Sequence, residues 1–358
     1  MSHNPVIDSA RAVLNISQHV KLNQKGINRA AEQILSQLIR EPYTPSSWAL
    51  VPLHPVPAKY SPSFILNWIF LVSSLNFSFW SSLPSDKRYG VRYKTACDRK
   101  GKEGEGETVW TGYFSLLAAL HRAIDEGVDV TNPQWYGREA TEAELRHVFR
   151  TDQEEEMPLL EERIKVLREV GGVLCDKYDG SFSPLLTSAN HSALSLVNKV
   201  TSLFPCYDDV TTYPSISSPI YIRKRAQILI AETWAAFEGK GPGRFDDIDQ
   251  LSMFADYRVP QILHSLGTLT YDEHLTNILI EGKDLANGSQ EEVEIRSASI
   301  VVVEEIKEEI RRLVRAGGHE FDVPNSVLLD FLLWDLAKAE EAKGRATLPH
   351  HRTRSVFY

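Results

Sequence analysis

Apolar residues recur at intervals of three and four through the first forty positions. Val6, Ile7, Ala10, Val13 and Leu14 form one series, and Ile27, Ala30, Ala31, Ile34, Leu35 and Leu38 a second. That is the spacing of helices burying one face, and it predicts helical structure across 5–40. The same period predicts helices at 114–125, 139–150, 159–178, 191–204, 222–237, 248–254, 259–266, 272–280, 291–314 and 327–343. Thr141 followed by Glu144 has the spacing of a capping box. Two stretches depart from this period. Pro42, Pro45, Pro52, Pro55, Pro57 and Pro62 exclude a helix interior and predict an ordered loop or a set of short turns. Between Tyr89 and Tyr113, aromatic and β-branched residues flank the charged, glycine-rich DRKGKEGEGE at 98–107, the pattern of a β-hairpin and its tip.

The most apolar run, 64–80, is interrupted by Asn67, Ser73, Ser74, Asn76 and Ser78. It is too short and too polar to span a bilayer, and reads as a buried element. With no repeat and no proline- or serine-rich linker, the expected fold is mainly α. It is a single helical domain over 1–358 with a small antiparallel β element near 88–113.

Composition narrows the partners. The chain of 358 residues is 42% hydrophobic and 24% charged, which fits a globular protein. Its 39 Lys and Arg against 48 Asp and Glu give a net charge of -9, which disfavours direct binding of nucleic acid, because phosphate contacts need a basic surface. Cys97, Cys175 and Cys206 are odd in number and lack CxxC spacing, so neither a disulfide framework nor a thiolate zinc site is expected. A reducing cytoplasm fits this usage. The first twenty residues lack the basic region and unbroken apolar core of a secretory signal.

HExxH, GxxxxGK[ST], GxSxG and GxGxxG are all missing from the sequence, which leaves acid–base chemistry. Asp256 lies in FADYRVP, just before a helix whose first turn would hold Pro260. It either caps that helix or, among apolar neighbours, is tuned for catalysis. Lys224 lies between Arg223 and Arg225 at a helix start; such a cluster usually marks a solvated face, but a lysine there also suits a phosphate or a carboxylate. Asp330 and Asp335 share one helix, but a five-residue offset turns them about 140° apart, so one could face a pocket and the other solvent. Asn76, Phe77, Ser78, Phe79 and Trp80 could stack a flat base or simply fill the core. His54 reads as a loop histidine, and His350, His351, Arg352 and Arg354 as a basic stretch that needs no ligand.

Through the blocks 76–80, 157–163, 224–234, 253–261, 290–296 and 328–335, the chain resembles the queuosine salvage family, the queuosine 5′-phosphate N-glycosylase/hydrolases. The resemblance runs from about residue 28 onward. It implies a helical fold similar to that of helix-hairpin-helix DNA glycosylases, with a lysine and a later aspartate lining the site, and Lys224 and Asp256 match that pair in order. It implies hydrolysis of the small molecule queuosine 5′-phosphate to queuine and ribose 5-phosphate, with no cofactor, no metal and no membrane. His54, Phe254 and Tyr257 would contact the substrate, with Asp330 and Asp335 as acceptors for donor groups of the base or its cyclopentenediol arm. Phe331 stands where the family often has tyrosine, so a hydroxyl contact is lost or replaced there. A 7-deazaguanine base has no ring N7 to protonate, so its departure must be helped through its other polar edges or by holding the sugar in a reactive geometry. A noncatalytic queuine or nucleotide carrier is the alternative.

Overall fold

The computed structural model describes residues 4–94, 106–318, 322–344 and 348–358. Its helices in chain order are α1 (Pro5–Leu14), α2 (Gln24–Arg40), α3 (Pro62–Ser74), α4 (Tyr113–Asp125), α5 (Glu142–Val148), α6 (Leu160–Lys177), α7 (Phe182–Thr187), α8 (Ala193–Leu203), α9 (Lys224–Ala236), α10 (Arg258–Ser265), α11 (Glu273–Glu281), α12 (Gln290–Gly317) and α13 (Ser326–Ala342). The strands β1 (Val20–Leu22), β2 (Gly90–Lys94), β3 (Glu107–Thr111), β4 (Val210–Tyr213), β5 (Ile216–Tyr221) and β6 (Leu269–Tyr271) form three antiparallel pairs, β1·β6, β2·β3 and β4·β5. The protein is mainly α.

Side-chain caps set many of the helix starts, by accepting backbone N–H groups that have no partner within the first turn. Asn4 accepts from Val6 N, Ser289 from Glu292 N, and Asn325 from Leu328 N. The capping box of Thr141 and Glu144 is present, but it starts α5 at Glu142, and Glu139 belongs to a preceding π-turn. Within the proline-rich stretch, Pro45–Leu50 is a 3-10 turn, whereas Pro62 opens α3, its predecessor Ser61 accepting from Phe64 N. The missing N–H of proline is harmless at a first helical position.

The β2·β3 pairing places Val91 opposite Trp110, as the hairpin pattern predicts; its tip at 98–105 lies outside the described residues. Two other pairings escape the sequence reading. β1 divides α1 from α2 and pairs with the distant β6, while β4 and β5 form a hairpin immediately before α9. The helix expected at 248–254 is also corrected. Only Ile248–Gln250 makes a 3-10 turn, and 251–256 is not helical.

Side chains alternate in that segment. Phe254 packs into a hydrophobic cluster built largely from α3, α4, α6, α8 and α9. Met253 and Ala255 pack into a second, built largely from α1, α2, α10, α12 and α13. Successive side chains of extended backbone point to opposite sides, so 253–255 stitches the two cores together and delivers Asp256 to their seam.

Candidate active site

A cavity of about 740 Å³ opens at this seam. Every site residue expected from the sequence lines it: His54, Lys224, Phe254, Asp256, Tyr257, Asp330, Phe331 and Asp335. α9 supplies Lys224, the loop before α10 supplies Phe254, Asp256 and Tyr257, and α13 supplies the last three.

Asp256 both caps and faces the cavity. Its Oδ1 accepts from Arg258 N at 2.8 Å and Val259 N at 2.9 Å, at the start of α10. Oδ2 has no hydrogen bond among the described residues. Burial raises the pKa of Asp256, while the charge of Lys224 and the two N–H groups act to lower it. The backbone on its N-terminal side is fixed by Arg296 of α12, whose Nε donates to Ala255 O at 3.0 Å. Arg296 is itself buried between Asp209 at 2.6 Å and Glu292 at 3.2 Å.

Lys224 is the first residue of α9 and only 4% exposed. Arg225 beside it is 1% exposed, so the solvated-face reading of the cationic triplet is corrected. The two side chains diverge. Arg225 donates to the carbonyls of Ser74 and Cys206, whereas Lys224 Nζ donates to Asn76 O at 3.2 Å and lines the cavity. Arg163 of α6 donates to the carbonyls of Leu75 and Phe77, and its guanidinium lies 4.2 Å from the Phe77 ring centroid. Two buried guanidinium groups thus shape the turn that aims Asn76 O at the lysine, and Phe77 is core while Asn76, Phe79 and Trp80 line the cavity. Desolvation lowers the pKa of Lys224 to about 8, against the pull of Asp256.

Asp330 is buried and accepts from Phe254 N at 2.9 Å. Burial, with the nearby Asp256 charge, holds its pKa well above the usual carboxylate range. Burial raises both neighbouring carboxyls, Asp330 well above the usual range, and at Asp256 the charge of Lys224 is the strongest opposing influence. Asp335 lies about 140° further round α13 yet also lines the cavity, receiving the Tyr43 hydroxyl at 2.9 Å. Both aspartates line the cavity because it wraps a broad face of α13 that also includes Phe331 and Trp334.

His54 is not an incidental loop histidine. Its Nδ1 lies 3.0 Å from Trp48 O and its Nε2 3.0 Å from the Tyr113 hydroxyl. Burial lowers its pKa to about 3, so the ring is neutral, with Nδ1 donating and Nε2 accepting. Tyr257 stacks on His350 with centroids 4.6 Å apart, and Phe254 lies 6.0 Å from Phe331. His350 and Arg352 of the basic stretch line the cavity, as does Arg88.

Sequence reading missed Tyr113, Trp334 and Glu232. Glu232 was detectable, since it follows Lys224 and Ile228 at i+8 and i+4, and all three line the cavity from one stripe of α9. It is 7% exposed, and burial alone pushes its pKa up to about 8.

A mainly helical protein whose cavity sets one buried lysine among buried carboxyls is the class that this geometry defines. The chain belongs to the queuosine salvage protein family, whose model matches residues 53–358. It is 40% identical over 353 residues to the queuosine 5′-phosphate N-glycosylase/hydrolase of Mus musculus, covering 98% of each chain. The protein of that name from Nematostella vectensis is 39% identical over 359 residues, covering 98% of this chain and 97% of its own. That of Schizosaccharomyces pombe is 38% identical over 369 residues and covers 99% of both. No described helix is long and apolar enough to cross a membrane.

Proposed function

We propose that the protein hydrolyses the N-glycosidic bond of queuosine 5′-phosphate, releasing queuine for return to transfer RNA. The relatives carry that activity in their names. The observation that carries the reading is Asp256, a buried carboxyl group that lines a nucleotide-sized cavity while one of its oxygens is held by a helix N-terminus.

Breaking the glycosidic bond builds positive charge on the ribosyl carbon, and a fixed carboxylate stabilises that charge most strongly where water is excluded. Because its Oδ1 is pinned, Asp256 needs little reorganisation as the charge develops. The charge of Lys224 favours the ionised form of Asp256 through space, and its Nζ donates to Asn76 O. Water then adds to the sugar carbon, its oxygen forming the new bond and its proton passing to the Asp256 carboxylate.

Phe254, Phe331 and Tyr257 supply apolar surface for the flat base and sugar. Asp330 and Asp335 accept donor groups of the base or its arm, and neutral His54 contacts the substrate beside Tyr113. We assign the 5′-phosphate to the cationic side of the cavity, at Arg88 and Arg352. We also read 1–358 as one domain, since the cavity takes walls from both hydrophobic clusters, and keep the likeness to helix-hairpin-helix glycosylases as part of this proposal. The enzyme is expected to work in the cytoplasm on the free nucleotide, without direct nucleic-acid binding.

The test is mass spectrometry of products after incubation with queuosine, queuosine 5′-phosphate and intact transfer RNA. Queuine released from the 5′-phosphate supports the reading. Ligand retained without turnover means a carrier, and release from intact transfer RNA means a nucleic-acid glycosylase.

A further inference from the structure

Glu232 is a buried acid of the cavity that this mechanism does not use. Glu232 sits two turns along α9 from Lys224, and eight residues of helix separate them by about 12 Å along the axis. Its side chain is more than nine-tenths buried and lines the cavity, yet it makes no hydrogen bond and no ion pair among the described residues. A buried carboxyl without a partner is costly, and natural proteins usually satisfy such groups. The cavity that it lines is where a partner can reach it.

The surroundings define which ligand group fits. The carboxyl lies near the Tyr113 hydroxyl, which belongs to the aromatic wall of His54, Phe79 and Trp334. No cation pairs with it among the described residues, and burial keeps it protonated at neutral pH. It therefore offers one O–H donor and one carbonyl acceptor. Asp256 and Lys224 occupy the ribosyl end of the cavity under the reading above, on which this inference rests. The span of about 12 Å from Lys224 to Glu232, set by the rise of α9, accommodates a purine-sized base between the lysine end of the cavity and Glu232.

We propose that Glu232 is the general acid for the leaving base, meeting its ring carbonyl edge at the end of the cavity opposite the glycosidic bond. As the bond from sugar carbon to ring nitrogen breaks, its electron pair enters the base and is delocalised through the conjugated ring onto the carbonyl oxygen. Glu232 donates its proton to that oxygen. Water supplies hydroxide to the sugar carbon and a proton to Asp256. The enol form of the base returns to its keto form by shifting a proton to the ring nitrogen, and solvent exchange restores both carboxyls. The net reaction is addition of one water. This route answers the absence of a ring N7, because the acid works at an edge that a 7-deazaguanine keeps.

The experiment compares wild type and Glu232→Gln on queuosine 5′-phosphate and on 4-nitrophenyl ribofuranoside 5-phosphate, whose phenolate leaves without a proton. The amide keeps shape and hydrogen bonding but cannot donate a proton. We expect kcat on queuosine 5′-phosphate to fall by about 10²–10⁴-fold, the usual value of general acid catalysis, and kcat on the nitrophenyl substrate to change by less than about threefold, equivalent to well under 1 kcal/mol. Equal losses on both substrates, or full activity on the nucleotide, would overturn the inference. Glu232→Asp, which withdraws the acid by one methylene, is a second variant expected to show the same selective loss should the amide not fold. A wild type that leaves queuosine 5′-phosphate intact would instead overturn the reading of the reaction itself.

Discussion

At the scale of single residues, burial is what gives each acid its task. Burial raises the pKa of both, but at Asp256 Lys224 and two helix N–H groups oppose the rise, whereas at Glu232 nothing does. This difference has a thermodynamic signature. Glu232 rises from 4.5 to about 8 on folding, so between these values the folded state holds a proton that the unfolded chain has lost. Stability from this group is complete below pH 4.5 and is lost as pH rises through 8, amounting to up to about 5 kcal/mol. In urea melts, wild type is expected to lose stability between pH 5 and 8, and Glu232→Gln to lose distinctly less over the same range. Parallel curves would contradict a buried, protonated Glu232. Lys224 acts in the opposite sense and at higher pH. Its folded value of about 8 lies below the ordinary 10.5, so its contribution increases with pH across that window.

At the scale of elements, three buried arginines do what the short strands cannot. Arg163 and Arg225 collect the carbonyls of the turn after α3, and Arg296 holds the carbonyl preceding Asp256. Arg225→Met would leave the carbonyls of Ser74 and Cys206 buried without a donor. The expected loss is about 2–5 kcal/mol in chemical denaturation, and the turn that orients Lys224 would loosen, lowering kcat more than it raises KM. An unchanged kcat in a folded Arg225→Met protein would show that the turn does not position the lysine.

This scale also explains what was legible. Long amphipathic helices such as α2, α6, α12 and α13 announce themselves, because their burial follows the period of the chain. The β1·β6 pairing and the nonhelical 251–256 do not, because the first depends on a partner nearly 250 residues away and the second on alternation between two cores. Lys224 illustrates the same limit. Three adjacent cations look solvated until the carbonyls that receive Arg225 are brought from distant segments.

At the scale of the whole molecule, the cavity lies where two hydrophobic clusters meet, so its contents should tie them together. Queuine at 100 times its dissociation constant is expected to stabilise the protein by about 2.7 kcal/mol. Calorimetric melting with and without queuine reads this directly, and no shift at saturating queuine would mean that the product does not occupy the seam. The shared cavity of Asp330 and Asp335 was not legible in the sequence, because they meet it only when α13 is set into it across a broad face.

The most direct measurement is the single-turnover release of queuine from queuosine 5′-phosphate by Asp256→Asn, alongside melting of the variant. An amide there cannot stabilise the ribosyl cation, and the account predicts a folded protein that binds substrate while losing about 10²–10⁴-fold in rate. A folded Asp256→Asn enzyme that releases queuine at the wild-type rate would contradict it.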